Sequence, residues 1–313
     1  MIPSTSLLNR YPTQLALLLA ITGVCFMASG AAMMVIGPLL FNVPLDQLAN
    51  QMMQKEHANL ARVLNTIVAF LSFGLPPLIL AWMMGTRPLR RLGFHSGMNA
   101  KQLGWVILIA LASIGLSGAL AELNQQIPLS KAWHIKARAL EESYQQTIMA
   151  MAYMPRLSDF LLALLTIAAA PAILEELMFR SGFQPILIGV TRSPFWGILL
   201  TAMLFSAIHF SIYGFLSRLA LGILLGLVYY YGKNIWLPIL FHFINNALIV
   251  VVLYWAGKNG KPPTEVMNEK VPLIWGLLSL IALFFLFRYF IAASRRYWNE
   301  SPSLFHFKNE LDD

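Results

Sequence analysis

Long stretches without charge alternate with short polar segments along nearly the whole chain, and this pattern constrains the fold most strongly. A helix needs about 20 predominantly apolar residues to cross a bilayer. Eight segments meet or approach this length, and they run approximately over 13–40, 60–84, 102–123, 158–189, 194–213, 215–231, 235–256 and 271–293. The sequence therefore predicts an all-α polytopic membrane protein, a helix bundle with about eight transmembrane helices.

The composition excludes the main soluble alternatives. Only 12% of the 313 residues are charged, whereas about 25% are charged in average soluble domains. The net charge of +8 could indicate nucleic-acid binding in a soluble protein. Here the lysines and arginines lie mainly in loops, where they orient helices and meet anionic lipid headgroups, and no basic, aromatic-rich domain is present. We therefore expect a lipid bilayer as a partner and no nucleic acid.

The segment 129–156 differs from the apolar segments. Polar residues such as Glu141 and Glu142 are interleaved there with apolar ones such as Leu140 and Tyr144. This spacing indicates an amphipathic helix that lies in the membrane interface or caps the bundle.

The basic residues predict an orientation. Loop 85–101 carries four basic residues and no acid, and Arg295 and Arg296 follow the last apolar segment. With eight spans, the bias of lysine and arginine towards the cytoplasm places both termini on the cytoplasmic side. Four further basic residues in 129–156 oppose this assignment, although Glu141 and Glu142 dilute their charge. The tail after Arg295 is polar, and we expect it to be mobile.

Two adjacent glutamates and an arginine lie inside the fourth apolar segment, after the uncharged stretch Leu161–Leu174. Charges at bilayer depth are costly and usually face a partner or a wet cavity. Glu176 and Arg180 have the spacing of a helical ion pair. Glu175 points about 100° away around the helix, so it need not share the arginine and could act as a general base. The alternative is that both glutamates are structural members of an interhelical network. Pro171 predicts a kink one turn before Glu175.

A histidine near the end of the fifth segment is the next candidate. The turn between the fourth and fifth segments should centre near Arg192, and Glu175 and His209 each lie 17 residues from it. Two antiparallel helices would then hold the two side chains at equal depth, where they could share a water and deprotonate it. The ordinary alternative is a histidine that caps a helix or lies at an interface.

The seventh segment carries His242 and Asn246, which are four residues apart and share a helix face. Donors fixed on one helix suit an oxyanion site, where negative charge develops on a carbonyl oxygen. Interhelical hydrogen bonding is the competing interpretation. In the sixth segment, Gly222 and Gly226 form a small-residue pattern that is typical of close helix packing.

Three motifs, taken together and in order, resemble those of a known family. They are Glu175-Glu176-x-x-x-Arg180, Phe205-x-x-x-His209 and His242-x-x-x-Asn246. They are similar to the motifs of the CAAX-processing and bacteriocin-processing (CPBP, or Abi) intramembrane endopeptidases, which are related to the type II CAAX prenyl endopeptidases. The resemblance covers about 160–252.

The resemblance implies roles for these residues and an architecture. Glu175 and His209 would activate water, His242 and Asn246 would form the oxyanion hole, and Glu176, Arg180 and Phe205 would support them in a conical intramembrane cavity. The implied regions are 1–156, with variable transmembrane helices and the amphipathic segment; 157–256, the protease core; and 257–313, the final transmembrane helix and polar tail.

The resemblance implies a glutamate-dependent peptidase without an obligatory metal or other cofactor. Two histidines and a glutamate also suit zinc. Against zinc, no helix offers two ligands in a His-x-x-x-His or Glu-x-x-His arrangement. Zinc therefore remains the less favoured alternative, with Glu175, His209 and His242 as its ligands.

Two function classes follow. The favoured one is an intramembrane endopeptidase, with a multi-pass location in the bacterial cytoplasmic membrane and a membrane-embedded or lipid-anchored, CAAX-like substrate. The other is a non-proteolytic scaffold or bacteriocin self-immunity protein of the same family. The complete set of polar motif residues favours the enzyme, because a scaffold has no need of charges at membrane depth. A transporter is less favoured, since no repeat or paired set of broken helices is visible.

Overall fold

The computed structural model describes residues 10–300 except 86, 96, 264 and 266–269, and this part of the chain is helical and contains no strand. The helices are α1 (Tyr11–Phe41), α2 (Leu45–Met52), α3 (Lys55–Met83), α4 (Pro88–Arg91), α5 (Ala100–Gln125), α6 (Lys131–Met151), α7 (Leu157–Thr191), α8 (Pro194–Ala207), α9 (Phe215–Gly232), α10 (Trp236–Lys258) and α11 (Leu273–Glu300). Residues 295–300 continue α11 beyond the predicted end of the last apolar segment at 293. The mobility of the tail stays a prediction, and the tail after residue 300 lies outside the described residues.

Seven of the described helices are long and apolar enough to cross a membrane: α1, α3, α5, α7, α9, α10 and α11. The chain is therefore an integral multi-pass membrane protein, and the predicted all-α bundle is confirmed. The expected span over 194–213 is shorter than predicted. Helix α8 has 14 residues, which corresponds to about 21 Å of helix. The chain leaves the helix after Ala207, and Phe210 adopts a positive φ of 51°.

Helix α7 carries the paired glutamates and contains two π-helical segments, Leu164–Ala169 and Leu177–Phe183. The first ends just before Pro171, where the missing backbone N–H led us to expect a kink. A π turn is one way in which a helix accommodates such an interruption at membrane depth. The second begins directly after Glu176 and widens the turn that separates Glu176 from Arg180.

Helices α8 and α9 approach closely along the predicted small-residue face. A Cβ added to Gly222 would lie 3.0 Å from the Cβ of Ala202, and one added to Gly226 would lie 2.8 Å from Cγ2 of Ile198. Larger side chains would push the helices apart. The two glycines thus set the distance between α8, which leads into the His209 segment, and α9.

The amphipathic segment forms α6 and packs against the loop that joins α8 to α9. Ser211 Oγ donates a hydrogen bond of 2.7 Å to Glu141 Oε2. The Arg218 guanidinium lies 4.9 Å from the centre of the Tyr144 ring. These contacts place α6 over the segment that contains His209, in agreement with a capping position.

Candidate active site

Glu175 on α7 faces two imidazoles that come from different parts of the chain. Its Oε2 lies 4.0 Å from Nε2 of His209 and 3.9 Å from Nε2 of His242. The side chains of Glu175 and His209 retain 16% and 22% of their exposure, so both are reachable from outside the core. The distances are too long for direct hydrogen bonds. They suit a small polar molecule, such as a water, bonded to the carboxylate and to an imidazole at once.

His209 lies two residues beyond the end of α8, in the loop before α9. The turn at Arg192, which has a left-handed φ of 54°, reverses the chain between α7 and α8 as predicted. The expected approach of His209 to Glu175 is observed, although His209 was expected inside a helix. Its Nδ1 lies 2.8 Å from the carbonyl oxygen of Phe205 and donates to it. In the neutral ring, Nε2 is therefore the acceptor that faces Glu175.

Glu176 and Arg180 form the predicted ion pair. Nε of Arg180 lies 3.0 Å from Oε2 of Glu176, and both side chains are completely buried. Arg180 also donates from Nη2 to the carbonyl oxygen of Gly222 at 3.1 Å. Its guanidinium lies 4.8 Å from the Phe205 ring centre, which is a cation–π contact. The arginine is thus in direct contact with Glu176, and Glu175 also lies close enough to interact with its charge.

His242 on α10 is oriented by Glu176. Its Nδ1 lies 2.8 Å from Oε1 of that carboxylate, and the imidazole is 5% exposed. Because Glu176 is paired with Arg180, it accepts this bond and Nδ1 carries the proton. Nε2 then points at Glu175, and it carries a second proton only when the ring is an imidazolium. Sequence spacing gave no sign of this contact between Glu176 and His242.

Phe205 is the ring around which the site is built. It is 1% exposed, and its centroid lies 5.1 Å from that of His209 and 5.9 Å from that of His242, both in edge-to-face geometry. It also contacts Arg180 and gives its carbonyl to His209. A change at Phe205 would therefore disturb both imidazoles and the arginine together.

Asn246 follows His242 by one turn of α10 and is half-buried. In the described part of the chain its side chain makes no hydrogen bond, so its amide is available to a ligand. The preceding Asn245 is engaged elsewhere: it donates to the carbonyl of Phe241 and receives a 3.4 Å hydrogen bond from Ser113 on α5. The assignment of Asn246 to an oxyanion hole stays a prediction.

Possible metal ligands in the site are Glu175, His209 and His242. Among the described residues, no three such side chains are close enough together to hold a metal ion. Both imidazoles nevertheless have Nδ1 bonded to a protein oxygen and Nε2 free, an orientation that is common for metal-binding histidines.

Two hydrogen bonds, one helical turn apart, join α7 to α9, and the sequence did not predict them. Arg180 donates to the carbonyl of Gly222, and Gln184 donates from Nε2 to the carbonyl of Gly226 at 3.0 Å. From the first pair to the second, the residue number rises by four in each helix. The small-residue pattern predicted only packing there, yet the same glycines leave their carbonyls open to these donors.

Comparison with known proteins supports the family resemblance. Residues 157–248 match the family model described as Type II CAAX prenyl endopeptidase Rce1-like. The matched region contains the three motifs that led to this interpretation. Comparison of the chain with curated proteins and with solved structures gave no significant match.

Proposed function

We propose that the chain is a CAAX-type intramembrane protease that cleaves a membrane-associated, CAAX-like substrate. Residues 157–248 match the family model described as Type II CAAX prenyl endopeptidase Rce1-like, which supports this activity. Glu175 and His209 activate the water that attacks the peptide bond. The membrane is the bacterial cytoplasmic membrane, and the partners are the bilayer and a membrane-embedded or lipid-anchored protein.

The observation that carries this proposal is the position of Glu175 Oε2, which lies about equally far from Nε2 of His209 and Nε2 of His242. A carboxylate oxygen that is buried and makes no hydrogen bond within the described chain is costly to keep. Such an arrangement is expected where a bound water or substrate supplies the missing bond.

The proposed chemical step uses the tautomers that the hydrogen bonds of the two imidazoles require. A water donates one hydrogen bond to Glu175 and one to Nε2 of His209, so that its oxygen lone pair is directed at the substrate carbonyl. As the new C–O bond forms, Glu175 takes a proton from the water and the carbonyl π electrons move to the oxygen. When the C–N bond breaks, the leaving amine receives that proton. One water is consumed, and an acid and an amine are produced.

His242 and Asn246 are proposed to stabilise the oxyanion. The imidazolium form of His242 has an N–H at Nε2 beside Glu175, and Asn246 can present its amide from the same helix face. Glu176 acts through His242, because it holds Nδ1 and so fixes the direction of Nε2. Arg180 keeps Glu176 charged.

We predict that Asn246→Ala lowers kcat by about 10²–10³-fold, because an oxyanion donor acts mainly in the transition state. KM should change little. The measurement is steady-state cleavage of a farnesylated peptide, with Asn245→Ala as the matched control, since Asn245 faces α5. A variant that raises KM and leaves kcat intact would assign Asn246 to substrate binding.

Zinc is the second candidate for the water activator, and the orientation of the two imidazoles is the observation that favours it. Glu175, His209 and His242 would be its ligands. A zinc ion would supply a Lewis acid that polarises the attacking water. Against zinc, no three such side chains among the described residues lie close enough together to hold a metal ion.

We predict that activity in detergent or liposomes survives prolonged chelation and that the purified protein holds far less than one zinc per chain. The reason is that the proposed base, orienting histidine and oxyanion donors already have separate roles without a metal. Zinc content is measured by elemental analysis and activity by peptide cleavage. Loss of activity on chelation, restored by zinc alone, would make these three residues ligands instead.

The function itself is tested by comparing membrane proteomes of cells that express the wild-type chain or Glu175→Gln. A protease predicts a precursor that accumulates in the variant with its C-terminus intact. The non-proteolytic alternative predicts identical C-termini in both cultures.

A further inference from the structure

Arg218 lies in the first turn of α9 and is the feature that the proposed mechanism leaves unused. Its side chain is half-buried, and its Nη1 is buried and makes no hydrogen bond within the described chain. Among the ion pairs of the described residues, Arg218 takes part in none. A buried guanidinium nitrogen without a hydrogen-bond partner is costly unless a ligand supplies one.

The register between α7 and α9 places Arg218 near the site. Position 184 bonds to 226 and position 180 bonds to 222. Arg218 lies one further turn towards the start of α9 from Gly222. It is close enough to His209 for their charges to interact.

The side chain turns back over the loop that carries His209. A Cβ added to Gly214 would lie 2.1 Å from Nη1 of Arg218, so the absence of a side chain at Gly214 makes room for the guanidinium. The other side is covered by the Tyr144 ring at 4.9 Å. The guanidinium is thus held in a slot between α6 and the α8–α9 loop.

The nearby carboxylate on α6 does not neutralise this arginine. Glu141 accepts a hydrogen bond from Ser211, whose Oγ also accepts from the backbone N–H of Gly214. In the described structure Glu141 forms no ion pair with Arg218. The slot therefore presents a fixed positive charge beside the site, and its ring and backbone walls limit the access of water to that charge.

We propose that Arg218 binds the C-terminal carboxylate of the substrate. This inference rests on the proposed function, since a CAAX sequence stands at the C-terminus of a protein. Its last three residues span at most about 10–11 Å when extended. Cleavage inside the motif therefore leaves the free carboxylate within about two helical turns of the scissile bond. Arg218 lies against Gly214, in the same α8–α9 loop that carries His209. Recognition of this carboxylate would restrict cleavage to chain ends.

The test compares two farnesylated CAAX peptides that differ only in a free or an amidated C-terminus. The wild-type protein should cleave the free acid with a kcat/KM about 10–100-fold higher, the range expected for a charge-assisted hydrogen bond. Arg218→Gln should lower the ratio of the two kcat/KM values, acid over amide, to about one. Arg218→Lys should retain part of the preference, since it keeps the charge and loses the planar guanidinium.

Arg138→Gln is the matched control, because it removes one positive charge from an exposed position of α6. It should preserve the preference for the acid. Equal loss of both cleavage rates in Arg218→Gln would overturn the proposal and assign the arginine to packing or to a lipid headgroup. Absence of any preference in the wild-type protein would overturn it as well.

Binding to Glu175→Gln separates this inference from the proposed function. Fluorescently labelled acid and amide peptides are titrated into that variant, and the acid should bind more tightly by a factor that Arg218→Gln abolishes. Preserved discrimination in binding, with no cleavage by the wild-type protein, would overturn the protease and support the carboxylate site. Equal binding of both peptides, together with normal cleavage by the wild-type protein, would support the protease and overturn the carboxylate site.

Discussion

Glu175→Gln is expected to lower kcat by about 10²–10⁴-fold, the usual contribution of a positioned acid–base group. The amide has nearly the same shape as the carboxylate, so the protein should insert and fold normally. It cannot take the proton of the water that it shares with His209. His209→Ala should be comparably severe, because both residues orient that one water. The measurement is cleavage of a farnesylated peptide by purified protein in liposomes.

Glu142→Gln is the matched control for this prediction, since it makes the same chemical change at an exposed position of α6. Its kcat should equal that of the wild-type protein. Thermal unfolding in detergent shows whether each variant is folded. Substantial turnover by a folded Glu175→Gln protein would remove Glu175 from the role of general base.

The bounds of a helix could be predicted from sequence wherever its length depends only on its own residues. The apolar segment 102–123 became Ala100–Gln125, and 235–256 became Trp236–Lys258. The exception is the end of α8, where apolar residues continue and the helix does not. Distant contacts hold the loop there: Asn124 on α5 donates to the carbonyl of Ile212 and accepts from the backbone N–H of Leu216. Hydropathy along the chain contains no information about such contacts.

The candidate site was predictable to the same extent. The ion pair between Glu176 and Arg180 follows from helical spacing, and the approach of His209 to Glu175 follows from counting residues around a turn. The contact between Glu176 and His242 does not, because it depends on how α7 and α10 are rotated about their axes. The position of Arg218 beside the site could not be predicted from sequence either, because it depends on how α6 and α9 pack.

Arg180→Met is expected to destabilise the protein by about 3–5 kcal/mol, the usual cost of removing one partner from a buried ion pair. Glu176 would keep its charge at a completely buried position and lose its cation. Methionine fills a similar volume, so loss of packing contributes little. The measurement is a large fall in the unfolding temperature in detergent. Activity should also fall, because Glu176 would no longer hold His242 in one orientation.

The double variant Glu176→Gln/Arg180→Met separates the charge from the packing. It removes both charges, so its stability should recover most of what Arg180→Met loses, as expected when a buried pair is replaced as a unit. Its activity should not recover, since a neutral amide next to Nδ1 holds the imidazole of His242 less firmly than the carboxylate does. Arg180→Lys should lie between the wild-type protein and Arg180→Met, because lysine keeps the charge and loses the fork that reaches Gly222. If Arg180→Met were as stable as the wild-type protein, the buried ion pair would contribute nothing to the stability of the fold, and the supporting role of Arg180 would fail.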